Sequence, residues 1–542
     1  MKRLLSSLLA LGILLSLLGS TSSPVQAQTQ YLYASPSGSY SENCAIETPC
    51  SLQKAVELSN SAAAEAETLI YLASGTYLAD TTRWYPEVIR ITNSVKIFGR
   101  CNFSSGSAVC TPENEPSSLD GQSVRRVIAL QLANPEVIHL HDLNLVYGNG
   151  NELANECPSV GAGDSKGCGG AIISFTGTNN QNELKIENCV FQYNYGRLNT
   201  YPTAGEQGLG GAISLSNFGV ARINNSKFDR NTAILDGNGY GGAIYSGSTQ
   251  IIIQNTEFTR NRCTPYATFG QGCGVNIQVP TGVTEISGNT FEFNNTNTTD
   301  GMLRTGGAVY ISTPDQINIS SNAFYNNIGN SVVELWVKTG TTENLIAKNR
   351  FWGNLANVAL NVNYSPSTTT PAIITVLNNF VGYQWGFDED SYTTNGIQFT
   401  ALSSGHLVAH LWHNSFACLD LGIHMVDLTD VDITDNIFGW STEAARADTQ
   451  YPHEGPIIMG TSNLIHYTNS VDLPEDDLVI ENPLFVDFMN GDLHLILDSP
   501  AINHAVNTGV STDIDGDLRN VGLPDIGADE FVLRLFLPML VK

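Results

Sequence analysis

The stretch Asp513-Ile514-Asp515-Gly516-Asp517 sets three carboxylates at alternate positions, the spacing by which a calcium loop offers its oxygens. The EF-hand pattern then fails, because Leu518 stands at its sixth position and Pro524 at its twelfth. The competing reading is an acidic turn tied by Arg519. A second stretch, Gly382–Tyr392, carries Tyr383, Trp385, Asp388, Glu389, Asp390 and Tyr392 between two strand-like runs. Aromatic faces beside carboxylates suit a sugar ligand, and two carboxylates could perform acid–base hydrolysis. The plainer reading is a solvated loop. Five of the six Trp lie between 336 and 440, which places any sugar-stacking face there. His139 and His141, two apart on an expected strand and followed by Asp142, form half a metal site or an outward polar face. His406, His410 and His413 read the same way.

The elements that would position these residues repeat. "IENCVFQYN", "INNSKFDRN", "IQNTEFTRN", "ISGNTFEFN", "ISSNAFYNN" and "IAKNRFWGN" all keep Ile-to-Phe at five and Phe-to-Asn at three. Residues five apart on one flat strand point to opposite faces. An Asn between them tolerates the left-handed region and can turn the chain between two short strands, so that Ile and Phe both point inward. A second element, Gly-Gly-Ala followed by Ile or Val, begins at Gly169, Gly210, Gly241 and Gly306, each time before a Phe-x-x-Asn. Two elements recurring in fixed order predict stacked coils, with ladders of Asn and a stack of Phe rings. The expected fold is all-β: a single-stranded right-handed parallel β-helix of the pectin-lyase-like kind. "SLQKAVELSNSAAAEAE" reads as an amphipathic helix, with Leu52, Ala55, Val56 and Leu58 near one face, that covers the open N-terminal end.

Lys2 and Arg3, the apolar run Leu4–Leu18 and the small residues of "SSPVQA" read as an export signal cleaved after Ala27. No Cys follows the run, so a lipoprotein is not expected. No other stretch is long enough to cross a bilayer. The net charge of −27 repels nucleic acid and anionic membranes, and an acidic polysaccharide too unless calcium bridges the two. Of the ten Cys, eight fall in close pairs: 44 and 50, 101 and 110, 157 and 168, 263 and 273. In an exported chain these suggest disulfides closing loops. Cys189 and Cys418 have no near neighbour and are free thiols or a long-range pair.

Between Cys168 and Asn354 the paired repeats resemble those of the chlamydial polymorphic outer-membrane protein (Pmp) family, which implies a β-helical passenger. That family ends in a membrane β-barrel, which nothing here resembles, so autotransport is not implied. The segment "NPLFVDFMNGDLHLILDSPAINHAVNTG", followed by "TDIDGDLRNVGLPDIGADEF", is similar to the choice-of-anchor Q module of bacterial surface β-helix proteins. The pattern includes Asn482, Pro483, Asp492, Ser499, Asp513, Asp515, Arg519, Asp525, Gly527 and Glu530. It implies a surface or secreted location and a closing module, and no catalysis.

The expected organisation is a signal peptide at 1–27, a cap and first coils at 28–110, repeats at 111–440 and the closing module at 441–542. No Asn-Thr-Asp with Gly-His-Gly of the polygalacturonase kind occurs, nor an Asp-Asp calcium pair with a basic catalytic residue as in pectate lyases. The favoured reading is a monomeric, exported, non-enzymatic protein that binds a polysaccharide or a cell-surface protein. The alternative is a polysaccharide lyase or glycoside hydrolase. Ligand contacts are expected from Tyr383, Trp385, Asp388, Glu389 and Asp390. No cofactor is required, and calcium at Asp513, Asp515 and Asp517 is the one the chain could take.

Overall fold

The computed structural model describes residues 29–532 except 64–65, 81–86, 105, 134, 151–156, 158–164, 176–180, 199–205, 217, 265–268, 279–281, 297–304, 313–314, 338–342, 365–370, 384–393, 402–406, 427–429, 449–456, 471, 474–477 and 520–521. The expected export segment, 1–27, lies outside the described residues. Among those described, no helix is long and apolar enough to cross a membrane.

The chain winds into a parallel β-helix. Successive coils add one strand to each of three long sheets. The first sheet has 15 strands and runs from Gln30–Ser39 to Ile457–Met459. The second has 14, from Gly75–Tyr77 to Val479–Ile480, and the third has 12, from Glu87–Ile91 to Glu443–Asp448. All pairings within them are parallel except the hairpin of Val95–Ser104 with Ser107–Cys110. The Ile and Phe of each repeat stand in register on neighbouring coils: Ile223, Ile253 and Ile286 in the first sheet, Phe228, Phe258 and Phe291 in the second. One coil cannot bury its apolar face alone, and stacking does so. The rings of Phe191, Phe228, Phe258, Phe291, Phe324 and Phe351 stack nearly parallel, with centroids 4.5–5.0 Å apart, and all are buried. Val381 stands next in register and ends the stack.

Two corners shape each coil. At the first, between Ile and Phe, one residue takes a positive φ. It is Asn188, Asn225 or Asn255 in some coils, as the sequence suggests, but Ser321, Lys348, His413 or Asp435 in others. In those coils the Asn comes one residue later and points inward. Asn289, Asn322, Asn349, Asn379, Asn414, Asn436 and Asn463 form a buried ladder. A second ladder follows the Phe: Asn194, Asn231, Asn261, Asn294, Asn327 and Asn354. In it, Asn261 Nδ2 donates to Asn294 Oδ1 at 3.0 Å and to the Phe228 carbonyl at 2.9 Å, while its backbone N–H donates to the same Oδ1 at 3.1 Å. Every polar group of such an amide is used, as burial requires. The Gly-Gly element serves two needs. Gly241 adopts φ +68, and a Cβ on Gly242 would lie 2.3 Å from the Cys273 carbonyl oxygen of the next coil.

The helix is Leu52–Asn60, capped by Ser51 Oγ, which accepts from Lys54 N, and it buries Leu52, Ala55, Val56 and Ser59. Leu58 packs against the core partly buried. The helix lies where an earlier strand of the third sheet would be. Gln53 Nε2 donates to the Val88 carbonyl, Asn60 Nδ2 donates to that of Arg90, and Asn60 Oδ1 accepts from Thr92 N. Side chains thus satisfy the sheet's first edge. Four disulfides join the four close Cys pairs, and Cys189 and Cys418 are free.

The third sheet ends at Asp448, the first at Met459 and the second at Ile480. The remaining chain folds back along the flank and docks on the first corners. Asp435 Oδ1 accepts from Val506 N, His413 Nε2 accepts from the Thr508 hydroxyl, and Asn378 Nδ2 and Lys348 Nζ donate to the Thr512 carbonyl and hydroxyl. The Arg519 guanidinium is fully buried and donates to Asn378 Oδ1, to Glu530 and to the carbonyls of Asp525 and Gly527. Burial, the largest cause, holds the His413 imidazole well below its ordinary pKa, and it raises Asp435 from 3.8 and Glu530 from 4.5, each to about 7.

Two outcomes follow from this packing. Phe258→Ala removes a ring from the middle of the stack and costs about 3–5 kcal/mol, read as a lowered urea midpoint with the far-UV spectrum retained. A carboxyl whose pKa is higher in the folded than in the unfolded chain supports folding while protonated. For Asp435 that contribution is complete below about pH 4 and is lost as pH rises to about 7. Asp435→Asn therefore gains stability relative to wild type as pH rises from 4 to 7, and parallel pH profiles would contradict the assignment.

Candidate ligand-binding groove

The second corner presents side chains outward. The residue before each ladder Asn has positive φ and is bulky in four coils, as Tyr193, Arg230, Arg260 and Phe293, and Tyr147, Tyr383, Trp440 and Tyr467 take the same conformation at the equivalent place in coils whose next residue is not Asn. Gly or Asn occupies this region without strain, whereas a large side chain there is an outlier costing about 1–2 kcal/mol. Such outliers cluster where a side chain has work to do. The residue after each ladder Asn also faces out, and Tyr195, Thr232, Arg262, Asn295 and Ile328 pair from coil to coil. The two outward rows enclose a groove of about 600 Å³, lined by Tyr193, Tyr195, Arg230, Arg260, Arg262 and Phe293 among others. The Asn ladder runs buried between the rows and fixes their spacing. Neighbouring coils rise about 4.8 Å, so the rows run along the helix axis.

Three guanidiniums converge here. Arg230 lies 5.5 Å over the Tyr193 ring and donates to its hydroxyl at 3.0 Å, and Tyr193 stacks on Tyr147 at 5.4 Å. Asp229, buried beneath, pairs with Arg230 at 2.9 Å and Arg260 at 3.0 Å and accepts from Gln192. This carboxylate is engaged by two cations and is no general base. Arg262 is exposed and forms no ion pair among the described residues. Burial raises the Tyr195 pKa, with Tyr193 and Tyr147 adding and Arg262 opposing, so its hydroxyl stays a neutral donor. Phe293 is 48% exposed, a large apolar face offered to solvent. The arrangement can hold a chain carrying both sugar-like faces and negative charge.

The residues singled out in the sequence fall elsewhere. Trp385, Asp388, Glu389, Asp390 and Tyr392 lie outside the described residues, as does His406. Tyr383 stacks on Trp352 at 5.9 Å, and Gly491 of the returning segment packs against the same indole. Trp440 stacks on Phe488 at 3.9 Å, so this part of the second corner is covered by the chain itself. Asp513 is buried and accepts from the N–H groups of Asp515, Asp517 and Glu530. Asp515 turns away to Arg350 and His494. Asp513 ties the turn through backbone amides, and the Arg519 guanidinium, expected to tie it, bonds instead to Asn378, Glu530 and the carbonyls of Asp525 and Gly527. His139 and His141 flank Glu187 on an outward face, 3.2 Å and 3.6 Å from its carboxylate. His410 lies 3.9 Å from Asp432.

The sequence reading missed the groove. Its signal was the second variable position of Phe-x-x-Asn, which reads Tyr, Arg, Arg, Phe in successive repeats.

No family model and no curated protein matches the chain. Among solved structures, the chain is similar to the crystal structure of pectate lyase Pel9A, at 12% identity and TM-score 0.35, over 94% of this chain and 98% of that one.

Phe293→Asn places a residue suited to positive φ at an exposed corner. It raises stability by about 1 kcal/mol, seen as a higher urea midpoint. An unchanged or lower midpoint would show that the corner carries no strain.

Proposed function

We propose that this protein binds an extended anionic polysaccharide of a cell surface along the groove, without chemical turnover. The observation that carries the reading is the row Tyr193, Arg230, Arg260 and Phe293, four bulky residues in a backbone region that favours Gly or Asn. The molecule's own chain supports it: at the first corner, Lys348, Asn378, His413 and Asp435, also at positive φ, hold the segment Val506–Thr512. The second corner offers an equivalent ladder with nothing described upon it between Tyr193 and Phe293.

Aromatic rings would take sugar faces, and the three guanidiniums would take carboxylates or sulfates. The chain as a whole repels polyanions at −27, yet three guanidiniums against one carboxylate make the groove locally positive. Calcium bridging is then unnecessary. Export and surface exposure accompany this reading, since four disulfides suit an oxidising compartment. The Pmp-like repeats supply the scaffold, and the choice-of-anchor Q-like segment closes its flank.

The test is binding of the purified protein to uronate, sulfated and neutral polysaccharides at two salt concentrations, with release of reducing or unsaturated ends recorded alongside. Binding is expected for the charged polymers, weaker at high salt, and reduced at least about tenfold, equivalent to 1.4 kcal/mol, in Arg260→Ala/Arg262→Ala. Equal binding by that variant would overturn the groove assignment. Release of new ends would replace the binding role with a lyase or hydrolase.

A further inference from the structure

His494 lies on the strand Asp492–Leu495 of the returning segment, with its imidazole held between carboxylates on both nitrogens. Nδ1 meets Asp492 Oδ1, and Nε2 lies 2.7 Å from Asp515 Oδ2. A neutral imidazole has one N–H and one lone pair. With the N–H directed to Asp492, the Nε2 lone pair faces another acceptor. Two acceptors at that distance need a positive charge between them. A third group joins from a separate stretch of chain. Asp529 is 7% exposed, its Oδ2 accepts from Leu495 N at 2.7 Å, and Oδ1 has no hydrogen-bond partner among the described residues. One ligand atom from each of His494, Asp515 and Asp529 lies within 4.8 Å of the others.

We propose that His494, Asp515 and Asp529 bind a divalent transition metal of the zinc class. An imidazole nitrogen with two carboxylate oxygens suits zinc, whereas calcium takes six to eight oxygens, more than this cluster offers. Asp492 fixes the imidazole tautomer by accepting from the nitrogen that does not face the metal, the usual partner of a metal-bound His. The Arg350 guanidinium holds Asp515 Oδ1 at 2.8 Å and leaves Oδ2 for the ion. The three ligands come from three stretches of the returning segment, and Arg350 belongs to a coil. The ion would therefore join the segment to itself and tie it to the flank. This site includes one of the three aspartates read as a calcium turn, with different partners and a different metal.

The test uses the full chain stripped with chelator and titrated with Zn²⁺ by calorimetry, and with Co²⁺ by visible absorbance. Binding is expected to weaken at least about tenfold in His494→Ala and in Asp529→Asn, and about 10–100-fold in Asp492→Asn. His139→Ala should leave it unchanged, and excess Ca²⁺ should not displace the ion. Zinc affinity unaltered in His494→Ala, or no uptake by the wild-type chain, overturns the proposal and leaves the cluster as a protonated ion-pair network. Should His494→Ala fail to fold, the wild-type cobalt spectrum decides: a visible band that Asp529→Asn alters supports the site, and its absence overturns it.

Discussion

The buried asparagine ladder is the constraint on which the rest depends. An amide in the core of a solenoid costs free energy unless all its donors and acceptors are paired. The following coil provides the partner, because it holds an Asn at the same register. From Asn194 to Asn354 each side chain bonds the next, and each also takes a carbonyl from the coil before. The pairing locks the coils in register and forces the chain through a left-handed residue just before each Asn. The outward direction of the neighbouring side chains follows from that geometry.

The two corners use this arrangement differently. At the first, the outward residues Lys348, Asn378, His413 and Asp435 bind the chain's own returning segment, whose buried Arg519 gathers carbonyls and a carboxylate around it. At the second, Trp440 and Tyr383 belong to the part near that segment, while Tyr193 to Phe293 line a groove. A rigid comb of corners with a spacing set by backbone pairing suits a linear ligand better than a compact one. Conformational strain at bulky corners is consistent with selection for contact over stability.

The scaffold was legible in the sequence because its constraints are local and repeated. Ile to Phe at five, Phe to Asn at three and the paired glycines each encode one turn, and every coil restates them. The groove was not legible because its residues occupy the variable positions and gather only through stacking: Tyr193 and Arg230 are 37 residues apart, Arg230 and Arg260 are 30, and Arg260 and Phe293 are 33. The acidic turn was visible as a triad, but alternation alone could not tell that Asp513 turns inward onto three amides. Nor could it bring His494 and Asp529 to Asp515. The stretch Gly382–Tyr392 drew attention by its composition, which says nothing of where a chain lies.

The most direct test of the account is hydrogen–deuterium exchange of the protein with and without a bound anionic oligosaccharide. If the asparagine-supported corners form the binding surface, added protection falls on residues 193–197, 230–234, 260–263 and 293–296, four separate stretches joined only by the stacking. Protection confined to the flank around 435–515, or spread evenly along the chain, would contradict it.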